Sequence, residues 1–562
     1  MTSIVNFYPY SIAANALFNF DEITNITNFK LLGTVSFSVS DAFTKSSYNQ
    51  YIFSSNVYTS AASGSANWTA AQLENIQSTL DTYSQFINLS FSKVIDYSGL
   101  NPAQVGESSD INLSLINRSN LSFSGLSAIN STDFAYTGGE LDIVINTSGF
   151  GSSDTTLGAN TFGGHVLMHE IGHSLGLSHP HSDYVNGKAI LTNDFSTTTQ
   201  MGFSKLGFVI NSAQDMDKEY FTIMSYDDQI PKSGTDTYAQ TPMILDVLAL
   251  QEAYAAGIGT SNTSNDVITI GASSAVNSFR TYFDVGGIDT VNLANYSTGA
   301  FLNLGTTIIG AKHLVGVSMS IADRQLMLAG SSPQSLRWFY GEFEDAIGSD
   351  GNDVITGNSL NNVITGSGGN DVIDGADWID IAVYSGSASN YNIQPSSSNT
   401  SIIDKIANRD GADTLTNIER LQFTDTNIAL DIGKDQTAGS GYMLYKAAFN
   451  RTPDVGGLGF WISKMDAGMI FGTVAQNFVN STEFKIAFEG SNPAVNTLVT
   501  KLYNNVLNRT PDSEGLAFWQ EKLTTGGWTT ADVLGYFSTS AESVTNVTPL
   551  IANGISYTQW VG

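Results

Sequence analysis

A nine-residue period between Gly348 and Val383 is the feature that most constrains the fold of this chain. Four successive segments read GSDGNDVIT, GNSLNNVIT, GSGGNDVID and GADWIDIAV. Each begins with glycine, has Asp or Asn at its sixth position and has an apolar residue at its eighth. Such a repeat is typical of a parallel β-roll, in which every repeat supplies one tight turn and one short strand. A flexible linker rich in Gly and Asn would not keep this register.

The sixth positions of the repeats carry the side chains best suited to bind a cation. Two repeats complete one coil, so Asp353 is predicted to pair with Asp371, and Asn362 with Asp380. Ca²⁺ prefers carboxylate and carbonyl oxygens, and the sequence therefore predicts calcium between stacked turns. Asn362 is a degenerate copy that weakens the second of these sites. The predicted calcium ligands of this segment are Gly348, Asp350, Gly351, Asp353, Gly366, Gly368, Asp371, Asp377 and Asp380.

Five of the six histidines lie in one stretch, GGHVLMHEIGHSLGLSHPH, at residues 163–181. His169 and His173 are four residues apart, so on a helix they lie on one face and can reach one metal. Gly176 allows the chain to leave the helix through a left-handed turn, and His179 returns as a third nitrogen ligand. Three imidazoles and one open position are typical of a catalytic zinc site. His165 and His181 are interpreted as neighbours of this site, outside the ligand set.

A later segment, FTIMSY, completes the pattern, because Met224 and Tyr226 follow the histidines as the methionine of a metzincin signature does. A buried helix whose histidines merely satisfy hydrogen bonds explains neither this segment nor Gly176. Bound zinc lowers the pKa of its water towards ~7. Glu170 can take the proton of that water as it attacks a peptide carbonyl. The sequence therefore predicts a zinc-dependent peptidase acting on polypeptide substrates, with Glu170 as a catalytic residue.

At HEIGHSLGLSHP and IMSY the chain resembles the serralysins, secreted bacterial zinc metalloproteases of the metzincin clan. The resemblance implies that Glu170 is the general base and that Met224 forms an apolar floor under the metal. It implies that Tyr226 binds zinc at rest and moves to stabilise the tetrahedral intermediate. The zinc ligands implied are His169, His173, His179 and Tyr226.

The resemblance extends over residues 51–432, because serralysins carry a calcium-binding roll directly after the protease. The segment FDVGGIDTVNLANYS resembles their first calcium-binding segment, with Asp284, Gly286 and Asp289 as implied ligands. Proteins with such repeats leave bacteria through type I secretion machinery and fold in extracellular calcium, so a secreted, extracellular protein is expected. The first 20 residues lack the basic and apolar regions of a signal peptide, and the chain has no cysteine. This lack of cysteine equally fits a reducing compartment.

The composition of the chain argues against two classes of binding partner, nucleic acids and membranes. The net charge of −29 predicts repulsion from nucleic acid and from anionic membrane surfaces. No run of about 18 apolar residues is present, so no membrane span is predicted.

The C-terminal region contains a duplication, because LYKAAFNRTPDVGGLGFW recurs as LYNNVLNRTPDSEGLAFW. The two copies resemble a small helical domain of unassigned function found in bacterial secreted and surface proteins. Their Leu, Tyr, Phe and Trp residues are interpreted as helix-packing core. The alternative is a docking module for a cell-surface or polymer ligand, to which two copies would bring avidity.

Together these patterns predict a multidomain chain. It comprises an N-terminal segment, a candidate propeptide (1–50), and an α+β, metzincin-like zinc metalloprotease domain (51–258). A parallel β-roll with calcium-binding nonapeptide (RTX) repeats and a closing β segment follow (259–435), then an all-α duplicated domain (436–562). In the protease domain, Thr69 and Gln72 predict a capping box at the start of a helix. The alternative function is a non-catalytic, calcium-dependent surface or adhesion protein that retains a protease-like scaffold.

Overall fold

The structure of the chain is a computed structural model. The residues it describes are 33–40, 68–97, 110–116, 125–128, 141–148, 150–159, 161–177, 179, 184–185, 188–189, 218–226, 238–257, 263–270, 278–296, 298–309, 313–396 and 398–560. The chain divides into two compact units, 1–345 and 346–562, and each is considered by itself. Among the described residues, no helix has the length and apolar character needed to cross a membrane.

The first unit begins with a five-stranded sheet in the order β2-β1-β3-β5-β4. Its strands are β1 (Thr34–Ser40), β2 (Ser90–Tyr97), β3 (Ile111–Ile116), β4 (Gly125–Ala128) and β5 (Leu141–Asn146). Val35, Phe37 and Val39 alternate along β1 and are buried, as expected for a strand with one face on the core. β1 pairs in parallel with both β2 and β3. The predicted N-terminal segment 1–50 therefore contributes an interior strand to this sheet.

The predicted zinc-binding stretch begins on helix α2 (Phe162–Ser174), and the first unit also contains helices α1 (Ala70–Phe86) and α3 (Ile244–Tyr254). The capping box of Thr69 and Gln72 forms as predicted, with the Gln72 amide N–H donating to Thr69 Oγ1. An apolar face of α1 is buried at Ile76, Leu80 and Tyr83, which recur at helical spacing. The Tyr83 hydroxyl donates to the Met168 carbonyl at 2.8 Å, so α1 is bonded directly to α2.

Further strands follow within the first unit. They are β6 (Tyr184–Val185), β7 (Lys188–Ala189), β8 (Val267–Thr269), β9 (Phe279–Phe283), β10 (Thr290–Asn292), β11 (Ala300–Ile309), β12 (His313–Ser320) and β13 (Leu336–Tyr340), with α4 (Ile321–Leu328) between the last two. β11, β12 and β13 pair antiparallel in succession, and β13 pairs in parallel with β9. The segment that begins at the predicted boundary of residue 259 is therefore β-rich before the nine-residue repeats start.

The second unit contains the repeats as short parallel strands. They are β14 (Asp345–Ile347), β15 (Val354–Thr356), β16 (Val363–Thr365), β17 (Val372–Asp374) and β18 (Ile381–Val383). Val354 is paired with Val372 and Val363 with Ile381, so strands two repeats apart are neighbours, as the nine-residue period predicts. The apolar eighth positions are buried. Successive repeats therefore alternate between two sheets.

A closing segment continues both sheets of the second unit. Its strands are β19 (Tyr391–Pro395), β20 (Thr400–Asp404), β21 (Ala412–Thr416), β22 (Arg420–Gln422) and β23 (Asn427–Ala429). β17 pairs in parallel with β21, and β18 with β22. The remaining strands are antiparallel to their neighbours.

Eight helices follow in the C-terminal region, and the second four repeat the first four. They are α5 (Thr437–Phe449), α6 (Val455–Asp466), α7 (Phe471–Asn480), α8 (Thr482–Phe488), α9 (Val495–Leu507), α10 (Ser513–Thr524), α11 (Thr530–Ser538) and α12 (Ala541–Ile551). Asp454 caps α6 and Asp512 caps α10, each through a glycine N–H. Leu444 and Trp519, from different copies, belong to one buried core, which agrees with the interpretation of these residues as packing residues.

The prediction of an all-α C-terminal domain needs one correction. Residues Ile555–Tyr557 form a strand, β24, that pairs antiparallel with β23. Ile555 and Tyr557 are buried and Ser556 is exposed, which is the alternation of a half-buried strand. Three residues are too few for this alternation to stand out in the sequence.

Candidate zinc and calcium sites

Helix α2 carries the first two predicted zinc ligands. The Thr161 side chain caps its first turn by accepting the Gly164 N–H at 3.1 Å. His169 and His173 lie one turn apart with ring centroids separated by 4.7 Å. Gly176 has a φ of 103°, so the left-handed exit expected of this glycine is present. The turn brings His179 back towards the helix.

The three histidines converge on one point. Nε2 of His179 lies 3.0 Å from Nε2 of His169 and 3.1 Å from Nε2 of His173. Tetrahedral zinc with Zn–N bonds of about 2.0–2.1 Å holds its nitrogens about 3.3 Å apart. The nitrogen spacing therefore fits a shared metal ion to within a few tenths of an ångström. Nitrogen atoms of all three side chains lie within 4.8 Å of one another.

The other ring nitrogens of the two helix histidines are anchored by backbone carbonyls. Nδ1 of His169 lies 2.8 Å from the Ile223 carbonyl, and Nδ1 of His173 lies 2.7 Å from the Leu177 carbonyl. A proton on Nδ1 leaves the lone pair on Nε2, where a metal binds. Burial, followed by repulsion from the neighbouring histidine, lowers the pKa of His173 to about 4 and that of His169 well below its usual value. Both rings are therefore neutral at pH 7, which metal binding requires.

Glu170 and Tyr226 flank this cluster from different segments. Glu170 follows His169 on α2 and is buried. The Tyr226 ring stacks on His169 with centroids 5.4 Å apart and lies 4.5 Å from the His179 ring. It is 59% exposed, so its hydroxyl can move without breaking a packed core. The structure thus places the predicted phenol group against the histidine cluster, and Glu170 is buried next to His169 on α2.

The segment around Met224 is fixed by a buried carboxylate that the sequence analysis missed. Asp246 on α3 accepts the Thr222 hydroxyl at 2.6 Å and the N–H groups of Ile223 and Met243 at 2.8 Å each. Burial raises the pKa of Asp246 to about 7. The sequence signal was a lone acidic residue in the apolar run PMILDVLAL. Met224 itself is fully buried.

The remaining histidines keep the positions expected of them where the structure describes them. His165 is buried one turn before His169, with ring centroids 6.3 Å apart. Its Nε2 lies 3.9 Å from a Glu219 carboxylate oxygen, so it lies beside the three converging histidines. His181 and Pro180 lie outside the described residues.

In the second unit the predicted sixth-position residues form two hydrogen-bonded ladders. The bonds run from Asp353 N–H to Asp371 Oδ1 (2.8 Å), from Asp371 N–H to Asp413 Oδ1 (3.0 Å), from Asn362 N–H to Asp380 Oδ1 (2.8 Å) and from Asp380 N–H to Glu419 Oε2 (3.0 Å). The ladders therefore continue to Asp413 and Glu419, which the sequence analysis missed. Neither residue keeps the nine-residue spacing.

These ladders concentrate carboxylates away from water. The second oxygen of Asp371 and that of Asp380 are buried and have no hydrogen-bond partner among the described residues. Burial raises the pKa of each to about 8, and the carboxylates of Asp413 and Glu419, respectively, add to the effect. A cation supplies the partner that such oxygens lack, so the donor set fits calcium.

The turns of the repeats are closely stacked. A Cβ on Gly348 would lie 2.3 Å from the Gly366 carbonyl oxygen, so only glycine fits there. Asp350 and Asp377 are exposed at turns. The other predicted turn residues, Gly351 and Gly368, are partly buried.

The predicted calcium segment of the first unit forms a separate acidic cluster. Asp284 and Asp289 are buried, and the Asp289 N–H donates to Glu344 Oε2 at 2.7 Å. The Gly286 N–H donates to Asp284 Oδ2 at 2.7 Å. Burial raises the pKa of Asp289 to about 7, with Asp284 and Glu344 contributing repulsion. Glu344 is a member that the sequence analysis missed.

Comparisons with known proteins find similarity to metalloproteases. The chain is 29% identical over 211 residues to Metallopeptidase AprA of Pseudomonas marginalis, covering 36% of this chain and 38% of that protein. It is 26% identical over 314 residues to Serralysin B of Dickeya chrysanthemi, covering 52% of this chain and 54% of that protein. The chain is similar to serralysin-type metalloproteases. The predicted resemblance is thereby confirmed, and the chain spans about half or less of the length of these relatives.

Other matches concern the C-terminal region and the overall structure. Residues 442–488 and 475–547 match a family model described as a domain of unknown function (DUF4214). The crystal structure of myroilysin aligns with a TM-score of 0.21 at 12% identity, covering 40% of this chain and 83% of that chain. A score this low carries no argument about the fold.

Proposed function

We propose that the chain is a secreted zinc-dependent endopeptidase that hydrolyses peptide bonds of extracellular proteins. The observation that carries this proposal is the convergence of three Nε2 atoms, with that of His179 3.0 and 3.1 Å from the other two, under the Tyr226 ring. The similarity to serralysins supports it. The non-catalytic alternative would explain neither the buried Glu170 nor the Tyr226 ring over the histidines.

His169, His173 and His179 would hold the zinc ion, which when bound supplies a Lewis acid and a water of lowered pKa. Glu170 takes the proton from the attacking water and delivers it to the leaving amine. The hydroxyl of Tyr226 donates to the carbonyl oxygen as negative charge develops on it. The carbonyls of Ile223 and Leu177 keep the two helix histidines oriented with Nε2 unprotonated.

We further propose that calcium binds at the carboxylate ladders and at the Asp284–Asp289–Glu344 cluster and is required for a stable fold. The unpartnered buried oxygens of Asp371 and Asp380 support this. Folding that depends on calcium suits type I export into a calcium-rich medium. Any removable N-terminal segment has to end before Thr34, because β1 is an interior strand. A cell-surface or polymer ligand of the duplicated helices stays a proposal.

Cleavage of casein by the refolded full chain in calcium tests the zinc peptidase. Wild type is compared with Glu170→Gln and with Glu74→Gln, a matched change at an exposed residue of α1. We expect wild type and Glu74→Gln to cleave, with activity abolished by a zinc chelator, and Glu170→Gln to bind zinc but lose about 10²-fold or more in kcat. Equal activity in the wild type and both variants refutes the assigned role of Glu170. Zinc binding without any cleavage favours the surface-protein alternative.

A further inference from the structure

A strand far along the chain holds the segment on which the zinc site depends. Trp338, in β13, is fully buried. Its indole N–H donates to the Tyr220 carbonyl at 2.6 Å, and its ring lies 5.3 Å from that of Phe221. Tyr220 also packs on Phe279 of β9 with ring centroids 5.8 Å apart. These contacts fix the start of the segment that continues to Met224 and Tyr226.

The same segment orients a zinc ligand. Ile223 lies two residues after Phe221, and its carbonyl is the acceptor for Nδ1 of His169 at 2.8 Å. The outer hydrogen bond of a metal-binding histidine sets its tautomer and ring orientation. A displacement of residues 220–223 would therefore reorient His169. Asp246 also restrains Ile223, because its carboxylate accepts the Ile223 N–H at 2.8 Å.

The strand that carries Trp338 also ends at the acidic cluster of the first unit. Tyr340 lies opposite Phe283 of β9, and its carbonyl accepts the Asp284 N–H at 3.1 Å. Along a strand, Trp338 and Tyr340 are about 7 Å apart. Glu344 follows closely and accepts the Asp289 N–H. One short strand thus touches both the acidic cluster and the zinc-site segment.

We propose that Trp338 is a positioning residue that couples cation occupancy of the Asp284–Asp289–Glu344 cluster to the geometry of His169. The inference rests on the proposed function. Without a cation, three carboxylates crowd the ends of β9 and β13 and repel one another. A divalent cation draws them together and fixes β13. Trp338 then transmits this fixed position through Tyr220 and Phe221 to Ile223.

Reciprocal linkage makes the proposal measurable without proteolysis. If calcium at the cluster strengthens zinc binding, zinc must strengthen calcium binding by the same factor. Zinc affinity is measured on the full chain by competition with a chromophoric chelator, with calcium saturating or absent. For wild type we expect calcium to raise zinc affinity about 5-fold or more, the lower end of usual couplings.

The variants separate this route from a general effect of calcium on folding. Trp338→Phe keeps an aromatic ring against Phe221 and removes the indole donor. The ratio of the zinc affinity with calcium to that without calcium should therefore fall towards one. Phe339→Leu, at the adjacent position of the same strand, should keep the wild-type ratio. Asp289→Asn should reduce this ratio to about one. Asp380→Asn, in a ladder of the second unit, should keep the wild-type ratio.

Each outcome has a defined meaning. An unchanged ratio in folded Trp338→Phe, or a wild type that binds zinc equally with and without calcium, overturns the inference and leaves the zinc site intact. Failure of wild type to bind zinc at all overturns the proposed function and the inference with it. If Trp338→Phe does not fold, the Asp289→Asn and Asp380→Asn pair decides, because equal ratios in the two refute the route.

Discussion

Replacing Asp371 by Asn should stabilise the calcium-free second unit and weaken its calcium binding. In the folded chain the Asp371 pKa is raised to about 8 by burial and by neighbouring carboxylates. In an unfolded chain the same group ionises near a pKa of about 3.9. The folded state therefore holds a proton that the unfolded state releases between these two values. The contribution of Asp371 to the free energy of unfolding is therefore fully present below about pH 4 and is lost as pH rises towards about 8.

The magnitude follows from the linkage relation. One group contributes up to about 1.4 kcal/mol per pH unit in this interval. Asp380 has a similarly raised pKa, also about 8. Relaxation of the folded chain and entry of water around the buried carboxylates reduce the full sum of about 5 kcal/mol between pH 5 and 7 to ~2–3 kcal/mol. For Asp371→Asn alone we expect a gain of ~1–2 kcal/mol at pH 7.5 without calcium.

Asparagine suits the position, because Asn362 occupies the equivalent site of another repeat and its Oδ1 accepts the Asn358 N–H at 2.8 Å. Asp371→Asn can thus keep its bond to Asp353 while removing the ionisation. Urea denaturation of the full chain, followed by tryptophan fluorescence, is measured at pH 5 and 7.5 with calcium or with chelator. Asp435→Asn, at an exposed residue, serves as the control and should shift no midpoint.

With calcium present, the wild type should be more stable than Asp371→Asn. The Asp371 carboxylate of the wild type then has a cation partner, whereas the variant lacks that carboxylate. The reasoning is refuted if calcium-free wild type becomes more stable from pH 5 to 7.5. It is equally refuted if Asp371→Asn lowers the calcium-free midpoint at pH 7.5.

Three further changes test other parts of the structure. Trp378 is 71% exposed and has a φ of 78°, and two other repeats have glycine at the same position, Gly351 and Gly369. Trp378→Gly should therefore raise the free energy of unfolding by ~1 kcal/mol, as measured by thermal melting. A lower melting temperature would contradict this. A Cβ on Gly172 would lie 3.2 Å from Met224 Sδ, so Gly172→Ala should cost ~1–2 kcal/mol and weaken zinc binding, as measured by melting and chelator competition. Tyr226→Phe keeps the ring stack but removes the hydroxyl, so kcat should fall ~10²-fold with zinc content unchanged; an unaltered kcat would refute its role.

Features encoded within a short window of sequence were predictable. The capping box of Thr69 depends on a residue three positions away. The convergence of His169, His173 and His179 depends on helical spacing and one glycine. The pairing of Asp353 with Asp371 follows from a fixed period of nine. In each case local geometry decides which side chains meet, so spacing alone suffices.

Residues that join these local features were not predictable. Trp338 and Tyr220 are separated by 118 positions, Asp413 and Asp371 by 42, and Glu419 and Asp380 by 39. No period connects such pairs, because their proximity arises from the return of the chain through several strands. Asp246 is the intermediate case, since a charged residue in an apolar run signals burial but not its partner.

The domain boundary predicted at residue 258 does not separate the zinc-site segment from the strands that it contacts. It separates a predicted α+β segment from a predicted β segment, and such local patterns indicate which elements a segment forms, not what it packs against. Phe279 and Trp338 lie beyond that boundary, yet both contact the segment that carries Met224. If these strands were removed, the Tyr220 carbonyl would lose its donor and the rings of Tyr220 and Phe221 would lose their cover. A fragment ending at residue 258 should therefore bind zinc more weakly than the full chain, even though it contains every predicted zinc ligand.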